Sequence, residues 1–259
     1  MKVIILAGGY GSRLGSITKE IPKPMVAIGE RPIIWHIMKI YSHFKHTDFI
    51  ISLGYKKEVI KEYFHNYHIH ANDFTVHLGS KDIGLLNAHD EADWKVTLID
   101  TGLNTLKGAR IKRLEKHLPD DELIMATYGD GVANIDIDKL IAFHKKHGKT
   151  LTITGVRPPS RFGEIIEKNS KLTRFREKPQ ISTGLINGGF FVFDKRLLKH
   201  LTTDEGCDLE HGVFEKLAKS RQIMVYKHTG QWQCVDTERD LKHLNKIWDD
   251  GNAFWKMWE

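Results

Sequence analysis

A cluster of glycines and basic residues stands near the start of the chain, directly after a short apolar run at residues 3–6. The apolar run is typical of a buried parallel strand. Glycine has no Cβ, so backbone N–H groups in such a loop can approach an anion closely, and Arg and Lys side chains add the charge that phosphate attracts. The stretch therefore predicts a polyphosphate site at the end of a strand. The residues concerned are Gly8, Gly9, Gly11, Arg13 and Lys23.

Other uses of a glycine-rich turn fit this spacing less well. The dinucleotide fingerprint needs a third glycine where this chain has Leu14, and the Walker loop needs a Gly-Lys-Ser/Thr run that the chain lacks. A plain tight turn is the alternative without chemistry. It does not require three glycines followed by Arg13 and Lys23, so we favour the polyphosphate site.

A carboxylate, Asp130, stands between Gly129 and Gly131 directly after a second predicted strand at residues 123–128. Ligands of open parallel sheets gather at the carboxyl ends of the strands. A carboxylate flanked by glycines at such an end can reach a metal ion with little obstruction. An Asp-Gly turn without a ligand is the alternative. The strand before it and the glycine on each side favour the metal ligand.

The elements around these residues predict an α/β fold. Strand, helix, strand and helix alternate over residues 1–67, which implies a parallel sheet with right-handed crossovers. We expect a Rossmann-like mixed, mainly parallel sheet flanked by helices, with a polar excursion near residues 79–94. Further strands are predicted at residues 74–78, 95–100, 150–156, 185–194 and 223–227, and further helices at residues 108–117, 136–147, 209–219 and 238–249.

Composition narrows the class of protein. Of the 259 residues, 41% are hydrophobic and 28% are charged, which is ordinary for a soluble globular domain. No apolar run approaches the roughly 20 residues of a membrane helix, so we expect no membrane partner. The apolar run at the start is too short for a signal peptide, and only two cysteines are present. Together these features predict a cytoplasmic protein without a disulfide framework.

The net charge of +6 suits a polyanionic partner. Nucleic acid is one such partner, but the basic residues are interspersed with acids, and no block of five consecutive basic residues occurs. We therefore expect small polyanionic partners and no nucleic acid.

Residues 8–14, together with Pro22-Lys23-Pro24, resemble the signature of sugar-1-phosphate nucleotidylyltransferases, and the resemblance runs nearly end to end. Two segments, residues 100–102 and 107–110, are similar to the members of that family that use CTP, where thymidylyl and uridylyl enzymes carry a Gln-Pro-Gly-type run. Other shared segments lie at residues 35–38, 97–102, 128–132, 187–191, 232–233 and 236–237. The resemblance implies a cytidylyltransferase that joins CTP and a sugar 1-phosphate, with glucose 1-phosphate giving CDP-glucose and pyrophosphate.

The resemblance also implies roles for individual residues. Arg13, Lys23 and Asp130 would be catalytic, and Asp130 and Asp236 would bind Mg²⁺. Backbone carbonyls near Ala7, Gly8 or Thr101 would accept a hydrogen bond from the cytosine amino group. The nucleotide site would comprise Leu6, Ala7, Gly8, Gly9, Gly11, Ser12, Arg13, Lys23, Thr101, Gly102, Arg110 and Asp130. The sugar phosphate site would comprise Tyr128, Gly163, Glu177, Lys178, Asn187 and Gly188.

One domain is expected to carry both sites. Residues 1–150 would mainly bind the nucleotide and residues 151–240 the sugar phosphate, while residues 241–259 would form a C-terminal helix and an aromatic tail. Three aromatic residues between 254 and 258 predict a tail that packs on its own body or on a neighbouring subunit. We expect a homo-oligomer.

Several alternatives stay open. Asp236 precedes a predicted helix, so it could be an N-cap rather than a metal ligand. Ser12 replaces a common threonine of the family pattern, but its hydroxyl survives, so binding should survive too. Leu209-Glu210 and Gly212-Val213 depart from the Trp-Glu and Glu-Pro pairs of CDP-glucose enzymes, which leaves a different phosphate acceptor possible. A non-catalytic nucleotide-sensing domain of the same fold is a further alternative, although the joint presence of Arg13, Lys23, Asp130 and Asp236 argues against it.

Overall fold

A computed structural model describes residues 1–87, 89–119, 123–159, 164–176 and 184–259. Its strands, in chain order, are β1 (Lys2–Leu6), β2 (Ala27–Ile28), β3 (Arg31–Pro32), β4 (Asp48–Leu53), β5 (Phe74–His77), β6 (Asp82–Leu85), β7 (Lys95–Asp100), β8 (Ile124–Tyr128), β9 (Gly131–Ala133), β10 (Leu151–Val156), β11 (Glu164–Lys168), β12 (Lys171–Arg176), β13 (Ile186–Phe193), β14 (Ile223–Lys227) and β15 (Trp232–Cys234).

The α-helices connect and cover these strands. They are α1 (Ile17–Glu20), α2 (Ile33–His43), α3 (Lys57–His65), α4 (Tyr67–His70), α5 (Lys107–Arg113), α6 (Ile137–His147), α7 (Glu215–Lys219) and α8 (Glu238–Asp249). Short 3₁₀ turns lie at Ser12–Leu14, Lys23–Met25, Glu115–His117 and Lys195–His200. Within the described part of the chain, no helix has the length and apolar character needed to cross a bilayer.

A seven-stranded sheet with the order β14-β10-β13-β8-β1-β4-β7 organises the molecule. All neighbouring pairs are parallel except the two that involve β13, which runs antiparallel to β10 and β8. The predicted α/β class with a mixed, mainly parallel sheet is therefore confirmed. Because β1, β4, β7 and β8 are mutually parallel, their carboxyl ends meet at one edge of the sheet.

The central strand β1 is buried on both faces, as its unbroken apolar sequence predicts. Val3 and Ile5 belong to one hydrophobic cluster, and Ile4 and Leu6 belong to the other. Each face of the sheet thus has its own core. The two cores fix the position at which the chain leaves β1 and enters the glycine-rich loop.

Strands from both the first 150 residues and the following part of the chain join this one sheet. The division of labour between a nucleotide half and a sugar half stays a prediction. The strand expected at residues 74–78 is present, but it pairs with β6 in a separate two-stranded hairpin rather than with the main sheet. The predicted excursion is thus partly a β-hairpin.

The helix predicted over residues 209–219 is wrong in its first half. Residues Leu209–Phe214 form an irregular turn in which His211 and Gly212 have non-helical backbone angles, and a regular helix begins only at Glu215. Asp208 caps the start of this turn by accepting hydrogen bonds from the N–H groups of Leu209 and His211. The break comes at His211 and Gly212, where Gly212 has φ +98°.

The aromatic tail packs on its own chain, which is the first of the two predicted alternatives. Trp255 is fully buried, and its indole N–H lies 3.3 Å from Nδ1 of His36. The other ring nitrogen of His36 lies 2.9 Å from the carbonyl of Ile28. Burial lowers the pKa of His36 to about 4, so the ring is neutral and can donate to Ile28 while accepting from Trp255. The ring of Trp248 packs against Trp255.

We expect that replacing Trp255 by Ala lowers the free energy of unfolding by about 3–5 kcal/mol, because the change leaves a large cavity and removes the donor to His36. Urea denaturation measures the change. Asn252→Ala, in the same tail but exposed, should stay within about 0.5 kcal/mol of wild type. Equal stabilities of the two variants would show that the tail does not contribute to the core.

Candidate functional site

A cleft of about 570 Å³ opens at the edge of the sheet where β1 and β8 end. Most of the residues predicted to bind nucleotide or sugar lie on its wall. They are Leu6, Ala7, Gly8, Gly9, Gly11, Arg13, Lys23, Arg110, Tyr128, Asp130 and Asn187, and the wall also includes Pro24, Thr105, Leu106, Lys107, Gly129 and Glu210. A larger cavity of about 680 Å³ lies beside edge strand β7 and contains none of the predicted site residues.

The glycine-rich loop leaves its backbone open to this cleft. None of the described residues accepts a hydrogen bond from the N–H groups of residues 8–11. A Cβ on Gly8 would lie 2.1 Å from Nη1 of Arg110. Gly11 has φ +65°, and a Cβ there would lie 2.9 Å from the Cβ of Lys23. A Cβ on Gly9 would meet no atom within 4 Å, so this position faces open space. The fold thus requires glycine at positions 8 and 11, whereas Gly9 leaves room for a ligand.

Four charged side chains converge beside the loop. Nζ of Lys23 lies 2.5 Å from Oδ2 of Asp130 and 2.6 Å from Oδ1 of Asp236. Nη1 of Arg13 lies 2.6 Å from Oδ2 of Asp236. The structure thus brings together the residues that the sequence predicts for phosphate and metal binding.

The fold places the two carboxylates side by side through β9 and β15, which pair antiparallel with Cys234 opposite Gly131. The N–H of Val235 donates to the carbonyl of Asp130, which holds Asp236 next to the end of β8. Lys23 comes from a 3₁₀ turn in a different part of the chain. The site is therefore assembled from three segments that are distant in sequence.

Charge pairing shifts the pKa values of this group. Burial lowers the pKa of Lys23, but attraction to and hydrogen bonding with Asp130 and Asp236 outweigh burial and raise the pKa overall. Burial raises the pKa of Asp236, but its bonds to Lys23 and the charge of Arg13 lower the pKa overall. At neutral pH, Lys23 is therefore an ammonium and Asp236 a carboxylate.

Asp236 is not the cap of the last helix. Thr237 is the N-cap of α8: its hydroxyl accepts from the N–H of Asp240, and the Asp240 carboxylate accepts from the N–H of Thr237. This reciprocal pair is a capping box. The side chain of Asp236 is consequently free to face Lys23 and Arg13, and the N-cap alternative for Asp236 is wrong.

Arg110 is buried in the wall of the cleft, and its terminal nitrogens are in contact with five oxygens. Nη2 lies 3.0 Å from the carbonyl oxygen of Gly8 and 3.2 Å from that of Leu103. Nη1 lies 2.8 Å from the carbonyl oxygens of Leu53 and Gly102 and from Oγ1 of Thr101. These oxygens follow the ends of β1, β4 and β7, so the guanidinium ties three neighbouring strand ends together. A contact of Arg110 with phosphate stays a prediction.

Other predicted residues do not belong to the wall of the cleft. Thr101 is buried, with its hydroxyl 2.8 Å from both Oγ of Ser52 and the carbonyl of Leu53. The Gly188 carbonyl accepts from the indole of Trp232. Ser12 begins a 3₁₀ turn, and Gly102 has its carbonyl bound to Arg110. Gly163, Glu177 and Lys178 lie outside the described residues.

A second polar group occupies another part of the cleft. The hydroxyl of Tyr128 donates to Oε1 of Glu210 and accepts from Nδ2 of Asn187 at 2.9 Å. Nζ of Lys107 lies 2.6 Å from the same Oε1. Burial and the Glu210 carboxylate raise the pKa of Tyr128, so the phenol keeps its proton at neutral pH.

Lys107 and Glu210 were not predicted as site residues. Lys107 lies in a segment that carries the family resemblance, which was the one signal pointing to it. Glu210 had no such signal, because its position depends on the irregular turn after Asp208, which the helical pattern of the sequence conceals.

Comparisons with known proteins identify the family of this chain. Residues 2–251 match the family model described as nucleotidyl transferase. The chain is 45% identical over 259 residues to glucose-1-phosphate cytidylyltransferase from Salmonella typhimurium, with all of both chains covered. It is 40% identical over 258 residues to a probable glucose-1-phosphate cytidylyltransferase from Bacillus subtilis, again with full coverage of both.

Solved structures support the fold. A putative glucose-1-phosphate thymidylyltransferase from Bacillus anthracis superposes with a TM-score of 0.68 at 19% identity, covering 100% of this chain and 97% of the other. A UDP-glucose pyrophosphorylase superposes with the same TM-score at 16% identity, covering 96% and 98%. Given the match of the family model to nearly the whole chain and the two full-length relatives, this protein belongs to the nucleotidyl transferase family.

Proposed function

We propose that this protein transfers a cytidylyl group from CTP to glucose 1-phosphate, giving CDP-glucose and pyrophosphate. The observation that carries the proposal is the 45% identity, over the full length of both chains, to a glucose-1-phosphate cytidylyltransferase. In this reaction an oxygen of the sugar phosphate attacks the α-phosphorus of CTP. The bond from the α-phosphorus to the oxygen that bridges it to the β-phosphate breaks, and pyrophosphate leaves. The attacking oxygen is already ionised at neutral pH, so the reaction needs no general base.

Catalysis then consists of positioning and of neutralising phosphate charge. The ammonium of Lys23 has three N–H donors. Two of them bond to Asp130 and Asp236, so the third is available for an oxygen of the α-phosphate. The side chain of Arg13 is 72% exposed and shares one contact with Asp236, so its remaining donors can bind the β- and γ-phosphates. The open N–H groups of the glycine-rich loop add further donors.

Nucleotidyltransferases of this family generally use a divalent metal. We assign Mg²⁺ binding to Asp130 and Asp236, because one ammonium already touches an oxygen of each carboxylate, as a shared cation would. The described residues contain no group of three or more His, Cys, Asp and Glu arranged for a metal. Mg²⁺ characteristically takes one or two carboxylates and completes its shell with water and substrate phosphates, so two carboxylates fit. When bound, the ion would neutralise charge on the phosphates.

The cytosine amino group needs an acceptor in the nucleotide site. Of the three expected carbonyls, that of Gly8 already accepts from Arg110 and from the N–H of Tyr55, and that of Thr101 accepts from Arg113. The carbonyl of Ala7 accepts from none of the described residues. We therefore narrow the proposed acceptor to Ala7.

The sugar phosphate is assigned to the part of the cleft that carries Tyr128 and Asn187, with Gly188 supporting the wall. Gly163, Glu177 and Lys178 remain part of this proposal on the family resemblance. We further propose that the protein works in the cytoplasm, in keeping with the absence of a disulfide between Cys207 and Cys234.

Asp236→Asn should reduce turnover of CTP and glucose 1-phosphate by about 100-fold or more, since it removes a charge that faces Lys23, Arg13 and the metal. Thr237→Ala is the matched control. It should lower the free energy of unfolding by about 0.5–2 kcal/mol through loss of the cap, while most of the activity remains. Pyrophosphate release and urea denaturation measure the two effects. Full activity in the Asp236→Asn enzyme would remove Asp236 from the site.

CTP should be preferred to UTP and dTTP by about 5- to 100-fold in kcat/KM. Uracil and thymine present a carbonyl where cytosine presents an amino group, so two acceptors would face each other at the Ala7 carbonyl, unpaired, at a cost of about 1–3 kcal/mol. Side-by-side rates with the three triphosphates at one concentration of glucose 1-phosphate measure this. Comparable rates for CTP and UTP would contradict the base assignment while leaving the transferase intact.

Two alternatives are separated by the same assay. A panel of phosphate acceptors with CTP would reveal another acceptor if glucose 1-phosphate were a poor one. A nucleotide-sensing domain would bind CTP but release no pyrophosphate with any acceptor.

We also propose that the protein forms a homo-oligomer through the hairpin of β5 and β6. Its register pairs Phe74 with Leu85 and Val76 with Ile83, so these four apolar side chains share one face, and all four are exposed. An isolated two-stranded hairpin is marginally stable in water, and an exposed apolar patch of this kind marks an interaction site. A second copy of the chain is the partner proposed.

Val76→Lys should shift the protein toward monomer in light scattering after size-exclusion chromatography, because it puts a charge on the apolar face of the hairpin. Thr75→Lys, on the opposite face of the same strand, should leave the oligomer unchanged. A wild-type monomer at micromolar concentration, or equal masses for the two variants, would reject the hairpin as the interface.

A further inference from the structure

Lys107 and Glu210 form an ion pair on the wall of the cleft, and the mechanism proposed above uses neither of them. Nζ of Lys107 lies 2.6 Å from Oε1 of Glu210, and the two side chains are 40% and 27% exposed. Ion pairs with this much exposure contribute little to the stability of a protein. The other contacts of the pair show what it does in the cleft instead.

The hydrogen bonds at Oε1 of Glu210 have a fixed direction. An ammonium can only donate, so the oxygen that binds Lys107 is an acceptor. The hydroxyl of Tyr128 therefore donates to the same oxygen. Burial and the charge of Glu210 raise the pKa of Tyr128, which keeps the proton on the phenol. The phenol oxygen is then an acceptor for the next group in this chain of bonds.

The next group is the side-chain amide of Asn187. Its Nδ2 donates to the hydroxyl of Tyr128 at 2.9 Å, and its Oδ1 accepts from the N–H of Gly189 at 3.1 Å. The phenol oxygen needs a donor and the backbone N–H needs an acceptor, so both neighbours impose the same orientation on the amide. Nδ2 carries two hydrogens, and among the described residues only Tyr128 accepts one of them. The other is available to a ligand in the cleft.

Both ends of this chain of bonds are held by the backbone. The side chain of Glu210 is also hydrogen-bonded to the carboxyl of Asp208, which caps the turn that carries Glu210. At the other end Gly189 has φ +82°, and a Cβ there would lie 2.5 Å from Cδ2 of Tyr128, so the ring packs directly on the backbone. Lys107 lies over the same ring, 5.4 Å from its centre.

We propose that Lys107 and Glu210 are positioning residues for the sugar 1-phosphate. Through the hydroxyl of Tyr128, they hold the amide of Asn187 so that its second N–H donates to an oxygen of that substrate. The inference rests on the proposed function, which assigns the sugar phosphate to this part of the cleft. Without the acceptor at Glu210, the hydroxyl of Tyr128 is free to turn, and the amide loses one of the two contacts that orient it.

The test measures the KM for glucose 1-phosphate and the KM for CTP from pyrophosphate release. Glu210→Leu and Lys107→Met should each raise the KM for glucose 1-phosphate by about 5- to 30-fold, the effect of one weakened hydrogen bond to a substrate. The KM for CTP should not change. Lys107→Arg also donates to a carboxylate and should stay within about 3-fold of wild type. Lys116→Met, at an exposed position, is the matched control and should keep both wild-type values.

A double-mutant cycle shows whether the effect passes through Asn187. Asn187→Ala alone should raise the KM for glucose 1-phosphate. Adding Glu210→Leu or Lys107→Met to Asn187→Ala should then change that KM by less than about 2-fold, because no amide remains to be positioned. If the added substitution has the same effect as in wild type, or if the KM for CTP rises equally, the positioning role is rejected and the proposed function stands.

The remaining outcomes are equally decisive. A wild type that releases no pyrophosphate from CTP and glucose 1-phosphate overturns the proposed function, and the inference falls with it. If Lys107→Arg is as impaired as Lys107→Met in an otherwise active enzyme, the ion pair does not hold the amide and only the inference is rejected. Should Glu210→Leu not fold, as seen by circular dichroism, the cycle of Lys107→Met with Asn187→Ala decides alone.

Discussion

The buried ammonium of Lys23 between Asp130 and Asp236 is the interaction on which the site depends. Both carboxylates lie within hydrogen-bonding distance of Nζ of Lys23. Without a cation between them, two partly buried carboxylates this close together would repel each other strongly. Lys23 supplies that cation from a turn far away in the sequence. The strand pair β9–β15 holds the carboxylates, and the glycine-rich loop passes close to the Lys23 stem at Gly11. The side chain of Lys23 therefore holds three segments together: the glycine-rich loop, the end of β8 and the segment that carries Asp236.

Arg110 also connects distant segments, on the neighbouring side of the loop. It binds backbone oxygens, whereas Lys23 binds carboxylates. Where parallel strands end, their carbonyl oxygens lie close together, and each can accept more than one hydrogen bond. The guanidinium donates to carbonyls at or just after the ends of β1, β4 and β7, and those of Gly8 and Leu53 also accept from backbone N–H groups. Gly8 must be glycine because the guanidinium occupies the space of its Cβ. The glycine-rich loop is thus shaped as much by the arginine behind it as by any ligand in front.

Much of the fold and half of the site could be predicted from the sequence. Apolar runs and helical periodicity are local signals, and they located β1, β4, β7 and β8 and hence the edge where Arg13, Lys23 and Asp130 meet. What local signals could not predict was the pairing of distant side chains. The sequence predicted a phosphate contact for Arg110 but could not predict the backbone oxygens that its guanidinium binds, because the type of a residue does not identify its acceptors. Asp and Thr are both common N-cap residues, so the sequence alone does not show whether Asp236 or Thr237 caps the last helix. The reciprocal hydrogen bonds between Thr237 and Asp240 identify Thr237 as the cap. The position of Glu210 depends on the kink at His211 and Gly212, in a segment that helix propensity alone predicts to be helical.

Charge divides the cleft into two parts. In one part, Arg13 and Lys23 face Asp130 and Asp236, so the cations of the chain are already balanced by its own carboxylates. A triphosphate placed there brings negative charge that these side chains alone do not neutralise, which is the physical reason for a divalent cation to accompany the nucleotide. In the other part, the Glu210 carboxylate is already bound by the ammonium of Lys107 and the hydroxyl of Tyr128. The need for an added cation therefore falls on the part that holds Lys23, Asp130 and Asp236.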